Sequence, residues 1–331
     1  QARRHQRQVL QACLEDPSEL LDQLETGAEK SETVALLQFE ARNNGCGANT
    51  TVTGEGQQAV LDETELPQWF IPAHQAELQT RIADGSFGTV YRGKWLGADV
   101  VVKQVLTDET DVESRKQFVR EADLWFKLNH EHLIQLYGAC HEGRPFFVSE
   151  QAINGTLMAN LKRKTRDSLW DWLIQAARGL QHLHENGIVH ADLKGNNILL
   201  CEGHTVKLAD FGLSVIANRV DEPAAGEGAL GAFRWKTPER LLGAPPTFAS
   251  DIYSFGMCII EALTGEFPWG DSIPDEAVKF NVTQQRLIPP RADIFEDSEW
   301  DLVTRMCCFE PERRISADVV VHVTEMILFE V

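Results

Sequence analysis

The sequence is short of positive charge and has no long apolar run. Its 31 Lys and Arg face 50 Asp and Glu, which gives a formal net charge of -19. Nucleic acid and anionic membranes repel so acidic a chain unless a basic patch intervenes, and the short basic run Lys162–Arg166 is more typical of a solvated helix end. No stretch approaches the roughly 20 uncharged apolar residues of a membrane span. The composition therefore argues against nucleic acid as a partner and predicts no membrane span.

Cysteines are few, and their spacing forms no framework. The chain has seven, of which Cys307 and Cys308 are adjacent. An odd, scattered set is typical of reduced thiols, and the first residues, QARRHQRQ, lack the apolar core of a secretory signal. We therefore expect a cytoplasmic protein.

Residues 1–45 predict a helical N-terminal segment. Ser31 is a suitable cap for a helix whose inward face carries Val34, Leu36 and Leu37. Because helices this short need a surface to pack against, we expect a partner for them, either within this chain or on another protein. A simple spacer is the alternative.

Residues 46–75 predict a linker and a clamp. Glycine and threonine replace apolar periodicity between Gly45 and Gln58, which indicates a flexible connection. The stretch that follows, Leu66–Pro72, reads LPQWFIP, an extended aromatic segment. We expect this segment to clamp onto the domain after it.

Residues 76–331 predict an α+β domain with two lobes. Alternating apolar and polar residues predict antiparallel strands at 89–95, 99–105, 134–140 and 145–150, with one helix at 112–128. Beyond Gly155 the pattern is mostly helical. The sheet and its helix would form a small lobe over 76–150, and the helices a large lobe over 153–331. Ligands commonly bind at such a seam.

A polar loop, HADLKGNN, precedes the apolar residues Ile198–Leu200. Asp192 and Asn197 lie in this loop, and Asp210 follows a second predicted strand in KLADFG. Cores rarely tolerate so many polar groups, whereas two carboxylates and a carboxamide on loops suit Mg²⁺. One carboxylate can hold a metal while the other accepts a proton.

Two further features point to phosphate. Gly85 and Gly88, in RIADGSFGTV, allow backbone amides to approach phosphate oxygens without an intervening side chain. Lys103 follows three valines and needs an anionic partner, for which Glu121 on the next helix is a candidate. A structural salt bridge explains this last pair equally well.

Together these parts resemble the protein kinase family in order and spacing. The stretches GAFRWKTPE, LYGAC and FFVSEQAINGTL are most similar to the tyrosine-kinase-like (TKL) group of serine/threonine kinases. The resemblance implies the two-lobed kinase fold, a protein substrate, and ATP and Mg²⁺ as cofactors. It also implies that Glu239 pairs with Arg314.

The resemblance assigns a role to each matching position. Asp192 would orient the substrate hydroxyl and take its proton, Lys194 would stabilise the transferred phosphoryl group, and Asn197 and Asp210 would hold Mg²⁺. Lys103, braced by Glu121, would hold the α and β phosphates. The remaining nucleotide contacts would be Ile82, Ala83, Asp84, Gly85, Ser86, Phe87, Gly88, Thr89, Val90, Val101, Ser149, Glu150, Ala152 and Leu199.

Four positions depart from the family pattern. Ala83 replaces the first glycine of the loop, and Val101 replaces a small alanine above the adenine, which narrows the nucleotide pocket. Ala232 replaces a threonine that touches Asp192. A pseudokinase, acting as a nucleotide-binding or scaffolding module, is therefore the alternative function. A small-molecule phosphotransferase is a third alternative, and the long segment that begins at Leu213 argues against it, because such a segment suits the binding of a polypeptide substrate.

The fourth departure, Ala191, replaces an arginine that in the family meets an activation-loop phosphate. Between Leu213 and Lys236 the only hydroxyl side chain is Ser214, and Asp221 and two glutamates already supply negative charge. We therefore predict activity that does not depend on activation-loop phosphorylation.

Overall fold

A computed structural model describes residues 33–39, 66–85, 88–106, 112–161, 165–211 and 233–329. The chain divides into a sheet unit, Gln1–Phe126 with Leu136–Glu150, and a helical unit, Lys127–Gln135 with Gln151–Val331. Strands dominate the first and helices the second, which confirms the predicted α+β class.

The sheet unit contains a five-stranded antiparallel sheet with the order β1-β2-β3-β5-β4. Its strands are β1 Ala76–Gly85, β2 Gly88–Trp95, β3 Ala98–Val105, β4 Leu136–Cys140 and β5 Phe146–Ser149. The run predicted from Ile134 therefore starts too early. The Ile134 amide instead donates to the Leu208 carbonyl (2.9 Å) within the helical unit.

Helices flank this sheet. Residues 33–39 form α1, in which Ala35, Leu37 and Phe39 are buried. Leu37 is buried, as predicted for the inward face, whereas Val34 and Leu36 are half-buried. The helix α2 spans Val112–Lys127.

The segment predicted to clamp lies against β4. Trp69 and Ile71 exchange backbone hydrogen bonds of 2.8 Å with Ala139, and Trp69 Nε1 donates to Asp123 Oδ1 of α2 (2.6 Å). Phe70, which is 4% exposed, contacts the edge of the Phe39 ring at 6.1 Å between centroids. Aromatic side chains therefore tie α1 and the segment before the domain to the sheet unit.

The helical unit contains a short hairpin, β6 Ile198–Leu200 with β7 Val206–Leu208. Its helices are α3 Leu157–Asn160, α4 Arg166–Glu185, α5 Pro238–Leu241, α6 Phe248–Thr264, α7 Asp275–Thr283, α8 Asp297–Met306 and α9 Ala317–Phe329. None of the helices that the structure describes is long and apolar enough to cross a membrane.

The central helix α6 begins and ends with strong local signals. Thr247 and Ser250 form a reciprocal capping box at its start, and Gly265, with a φ of 73°, ends it in the left-handed conformation. Most of its side chains are buried, including Asp251 and Glu261. Buried carboxylates need partners, so both mark positions where α6 holds other parts of the unit.

Glu239 and Arg314 form the predicted ion pair. Arg314 donates to Glu239 Oε1 at 2.6 Å and to Oε2 at 2.8 Å, and its side chain is fully buried. Burial by itself would raise the pKa of Glu239, but the hydrogen bonds and the charge of Arg314, together with hydrogen bonds from the Glu239 amide and from Thr237, lower that pKa overall. The pair fastens α5 to the loop before α9.

Candidate active site

Asp251 of α6 holds the backbone of the polar loop. Its Oδ2 accepts a hydrogen bond from the His190 amide (2.7 Å) and its Oδ1 one from the Ala191 amide (2.8 Å). His184 Nε2 lies 3.0 Å from Oδ2. Ala191 has a φ of 68°, which is costly for a residue with a Cβ. A buried carboxylate therefore fixes the strained residue directly before Asp192.

The loop brings three predicted site residues together. Lys194 Nζ lies 2.7 Å from Asp192 Oδ2, and each side chain is about one third exposed. Asn197 Nδ2 donates to the Asp192 carbonyl (2.7 Å) and to Oδ2 (3.2 Å). The Asp192 carboxylate is thus oriented from two sides and remains accessible.

The hairpin places Asp210 beside Asn197. The amide of Ala209, the residue before Asp210, donates to the Asn197 carbonyl at 2.9 Å. Asp210 itself has a φ of 59°, a conformation that aspartate tolerates better than most residues. The two predicted metal ligands therefore lie next to each other, although 13 positions separate them in the sequence.

The donor set at this point fits Mg²⁺. Within the described part of the chain, both hydrogen bonds of the Asn197 side chain use Nδ2, which leaves Oδ1 as a ligand oxygen, and Asp210 supplies a carboxylate. In the ranges described, no three His, Cys, Asp or Glu side chains form a metal-binding group. Mg²⁺ commonly combines one or two protein oxygens with water and phosphate oxygens, so these residues suffice.

His190 is part of the core, although the sequence places it in the polar loop. It is completely buried, neither ring nitrogen has a hydrogen-bond partner among the residues that the structure describes, and its ring lies 6.2 Å from that of Phe211. Burial lowers the pKa of His190, so its neutral ring packs as an apolar group.

Glu261 is a supporting residue that sequence reasoning missed. Its Oε2 accepts hydrogen bonds from the Gly195 amide (3.0 Å) and from Trp235 Nε1 (2.9 Å), and the residue is 1% exposed. One oxygen thus joins the polar loop to the segment before α5. The only signal in the sequence is a lone acid in the apolar run CIIEAL.

Glu261 should make stability depend on pH. Burial raises the pKa of Glu261 to about 7, so the folded chain retains a proton that the unfolded chain releases from about pH 4.5 upward. The free energy of unfolding should therefore fall by about 3 kcal/mol between pH 4.5 and 7 on account of this group. We expect E261Q to lack this part of the slope in urea denaturation at a series of pH values.

Glu312 offers the matched control, because its exposed side chain gives E312Q the same loss of one carboxylate. E312Q should follow the wild-type slope. Equal pH slopes for E261Q and the wild type would contradict the prediction.

In the sheet unit, the predicted nucleotide loop is the turn between β1 and β2. Gly85 pairs with Gly88 in the strand register, while Ser86 and Phe87 lie outside the described residues. Gly88 has a φ of 152°, and a Cβ there would lie 1.9 Å from the Gln104 carbonyl oxygen. Only glycine fits this position.

Several side chains beside these glycines are exposed or half-buried. Ile82 is 49% exposed, Val90 is half-buried and pairs with Lys103, and Val101 pairs with Ser149. Asp84 forms an ion pair with Arg81 and accepts a hydrogen bond from Thr89 at 3.1 Å, which ties it to both strands. The Arg81 side chain lowers the pKa of Asp84.

Lys103 and Glu121 lie on facing surfaces. Lys103 is the cross-strand partner of Phe147, so the two side chains share one face of the sheet. Phe118 and Trp125 of α2 pack on Phe147 at centroid distances of 4.4 and 5.5 Å. Glu121 lies between these two aromatic residues on the same face of α2. Lys103 and Glu121 are 7% and 5% exposed, and their pairing remains a prediction.

The predicted site residues thus fall into two groups. The sheet unit carries those at 82–90 with Val101, Lys103, Glu121, Ser149 and Glu150, and the helical unit carries Ala152, Asp192, Lys194, Asn197, Leu199 and Asp210. Ala232, the departure next to TPE, lies outside the described residues.

Comparison with known proteins gives consistent matches. The sequence profile of the protein tyrosine and serine/threonine kinase family matches residues 76–323. RAF proto-oncogene serine/threonine-protein kinase of Xenopus laevis is 32% identical over 236 residues, which are 69% of this chain and 37% of that protein.

Two further relatives cover more of the chain. Serine/threonine/tyrosine-protein kinase HT1 of Arabidopsis thaliana is 30% identical over 306 residues, 89% of this chain and 77% of that protein. Tyrosine protein-kinase src-1 of Caenorhabditis elegans is 31% identical over 278 residues, 79% of this chain and 50% of that protein. The chain thus spans well under half of the RAF relative and most of HT1.

Proposed function

Because this chain belongs to the protein tyrosine and serine/threonine kinase family, with a kinase domain of the tyrosine-kinase-like type, we propose that it transfers the γ-phosphate of ATP to protein serine and threonine hydroxyls. One observation carries the proposal: Asp192, Lys194 and Asn197 are held together by hydrogen bonds, with Asp210 adjacent. We further propose a cytoplasmic location, as the scattered cysteines predict.

The residues of the loop have complementary tasks. The Asp192 carboxylate would orient the hydroxyl of the protein substrate and accept its proton. Lys194, 2.7 Å from that carboxylate, would stabilise negative charge on the phosphoryl group in transit. Asn197 Oδ1 and Asp210 would hold Mg²⁺, which when bound offsets phosphate charge. In the sheet unit, Lys103 would bind the α and β phosphates.

A transfer assay tests this function. Labelled Mg-ATP is incubated with the chain and a generic basic protein, and the phosphoamino acids are then separated. The proposal expects phosphoserine and phosphothreonine, since Lys194 beside Asp192 is typical of the serine/threonine class. Phosphotyrosine alone would overturn the serine/threonine assignment.

A pseudokinase is the second candidate, and Val101 is the observation that favours it. Val101 is half-buried and pairs with Ser149, so its two extra methyl groups would narrow an adenine pocket at this position. A pseudokinase would show no transfer, with nucleotide binding that is absent or independent of metal. The thermal shift caused by ATP with and without Mg²⁺ separates the two functions.

We predict that phosphatase treatment leaves transfer activity within a factor of about two of the untreated chain. The Ala191 side chain has no charge with which to bind a phosphate on the activation loop. The Ala191 backbone is held by a hydrogen bond to Asp251, which needs no phosphate. Ser214, the hydroxyl residue that follows Asp210 most closely, lies outside the described residues. The variant S214A should have the same transfer activity as the untreated wild type. A loss of activity on dephosphorylation that S214A reproduces would contradict the prediction.

We also propose that the N-terminal helices act within the chain. The contact between Phe39 of α1 and Phe70 supports docking onto the sheet unit. Deletion of residues 1–60 should then lower the thermal stability of that unit.

A further inference from the structure

Lys236 is a half-buried cation in the segment before α5. Its Nζ lies 5.4 Å from the centroid of the Phe233 ring. Across the ranges that the structure describes, no carboxylate forms an ion pair with it. A lysine that is partly removed from water without an anion beside it is costly unless an anion arrives from elsewhere.

Hydrogen bonds fix the backbone around Lys236 relative to the polar loop that carries Asp192. Its neighbour Trp235 donates to the same Glu261 oxygen that receives the Gly195 amide. The Ser254 hydroxyl donates to the Trp235 carbonyl at 2.8 Å, and the Lys236 amide donates to the Phe233 carbonyl at 3.1 Å. Lys236 is therefore one residue away from a side chain anchored beside Lys194.

The electrostatic surroundings of Lys236 are those of a basic patch. Burial, and then repulsion by Arg240, lower the pKa of Lys236, while Asp192 raises it and Lys194 lowers it. Asp192, the attracting carboxylate, is already 2.7 Å from Lys194. Lys194, Lys236 and Arg240, which we call the basic patch, thus concentrate positive charge next to Asp192 in a chain of net charge -19.

We propose that Lys236 binds an aspartate or glutamate side chain of the protein substrate, close to the hydroxyl that receives the phosphate, so that this kinase selects acidic sequences. The proposal rests on the proposed kinase function. A carboxylate at this point would give Lys236 an ion pair that the described residues do not supply, whereas a basic side chain would be repelled by Lys194, Lys236 and Arg240. The acidic remainder of the chain repels such a substrate, so the preference is local.

Matched peptides test the proposal. Each carries a single serine, with Asp placed in turn at each of the flanking positions. The control peptide has Asn at that flanking position and carries the Asp at the end of the peptide farthest from the serine, so the two peptides have equal net charge. We expect kcat/KM to be about tenfold higher with Asp than with Asn at one or two flanking positions. This ratio corresponds to the lower end of the free energies found for hydrogen bonds between charged groups.

Variants assign the preference to Lys236. K236M should bring the Asp-to-Asn ratio close to one, and K236E should favour Lys at the same position. The exposed Lys279 of α7 provides the control, since K279M removes the same charge far along the chain and should keep the wild-type ratio. Thermal unfolding of each variant confirms that the helical unit is folded.

A binding assay separates this proposal from the kinase function. Fluorescence anisotropy of the same labelled peptides needs no phosphate transfer. If no peptide is phosphorylated but the chain still binds the Asp peptides more tightly, and K236M removes this preference, the kinase function is refuted and the role of Lys236 is retained. Wild-type ratios near one at every position, or a preference that K236M leaves intact, would overturn the role of Lys236.

Discussion

Replacing Asp192 by Asn is expected to lower phosphate transfer by about 10² to 10⁴-fold, because the carboxamide cannot accept the proton of the substrate hydroxyl. The variant should fold normally. It loses an ion pair with Lys194 that is about one third exposed, which is worth at most about 1 kcal/mol. Asn197 still donates to the Asp192 backbone carbonyl, so the loop keeps its hydrogen bond. Initial rates with Mg-ATP and a basic protein measure the effect.

Asp301 provides the matched control for this experiment. It is 65% exposed and pairs with Arg305 one helical turn away, so D301N makes the same chemical change far from the loop. D301N should retain wild-type transfer, and D192N should retain the thermal shift caused by Mg-ATP. A D192N chain as active as D301N would refute the role of Asp192.

Replacing Arg314 by Met is expected to destabilise the helical unit by about 3 to 5 kcal/mol, the cost of breaking a buried ion pair from one side. The guanidinium donates to both Glu239 oxygens and to the carbonyls of Cys308, Ala249 and Phe309. Methionine fills part of the volume but makes none of these hydrogen bonds, so the buried carboxylate of Glu239 loses its cationic partner. Guanidinium chloride denaturation at pH 7 measures the loss.

The adjacent Arg313 serves as the control. Its nearest carboxylate, Glu310, lies 3.9 Å away and its side chain is 72% exposed, so R313M should change stability by no more than about 0.5 kcal/mol. Arg314 lowers the pKa of Glu239. The stability from the pair is therefore present above the unfolded pKa of that carboxyl and lost as pH falls through the folded one. Equal losses in R314M and R313M would contradict the assignment.

Much of the candidate site was predictable from short stretches of sequence. Asp192, Lys194 and Asn197 lie within six residues, so a single short loop can bring their side chains together. The strands followed from alternation, and the turn at Gly85 and Gly88 from two glycines between two predicted strands. Each of these features depends on residues that are close along the chain, where periodicity and turn chemistry act.

Other features depended on partners far along the chain. Ile134 lies outside β4, the strand predicted to include it, because its amide pairs with Leu208, and the ring contact between Phe39 of α1 and Phe70 was not predicted. A helical pattern shows that a face exists. It does not show which neighbour covers that face.

The sequence alone therefore determined the fold class, the order of the elements and the residue types of the catalytic loop, since all of these follow from local pattern. The tertiary structure decided how the loop is held. Asp251 supports the strained Ala191, and one oxygen of Glu261 joins Gly195 to Trp235. It also decided that His190 packs in the core and that Lys236 belongs to the basic patch. The hydrogen-bonded pairs that hold the loop, Trp235 with Glu261, Ala191 with Asp251 and Gly195 with Glu261, are 26 to 66 places apart, and no local pattern records them.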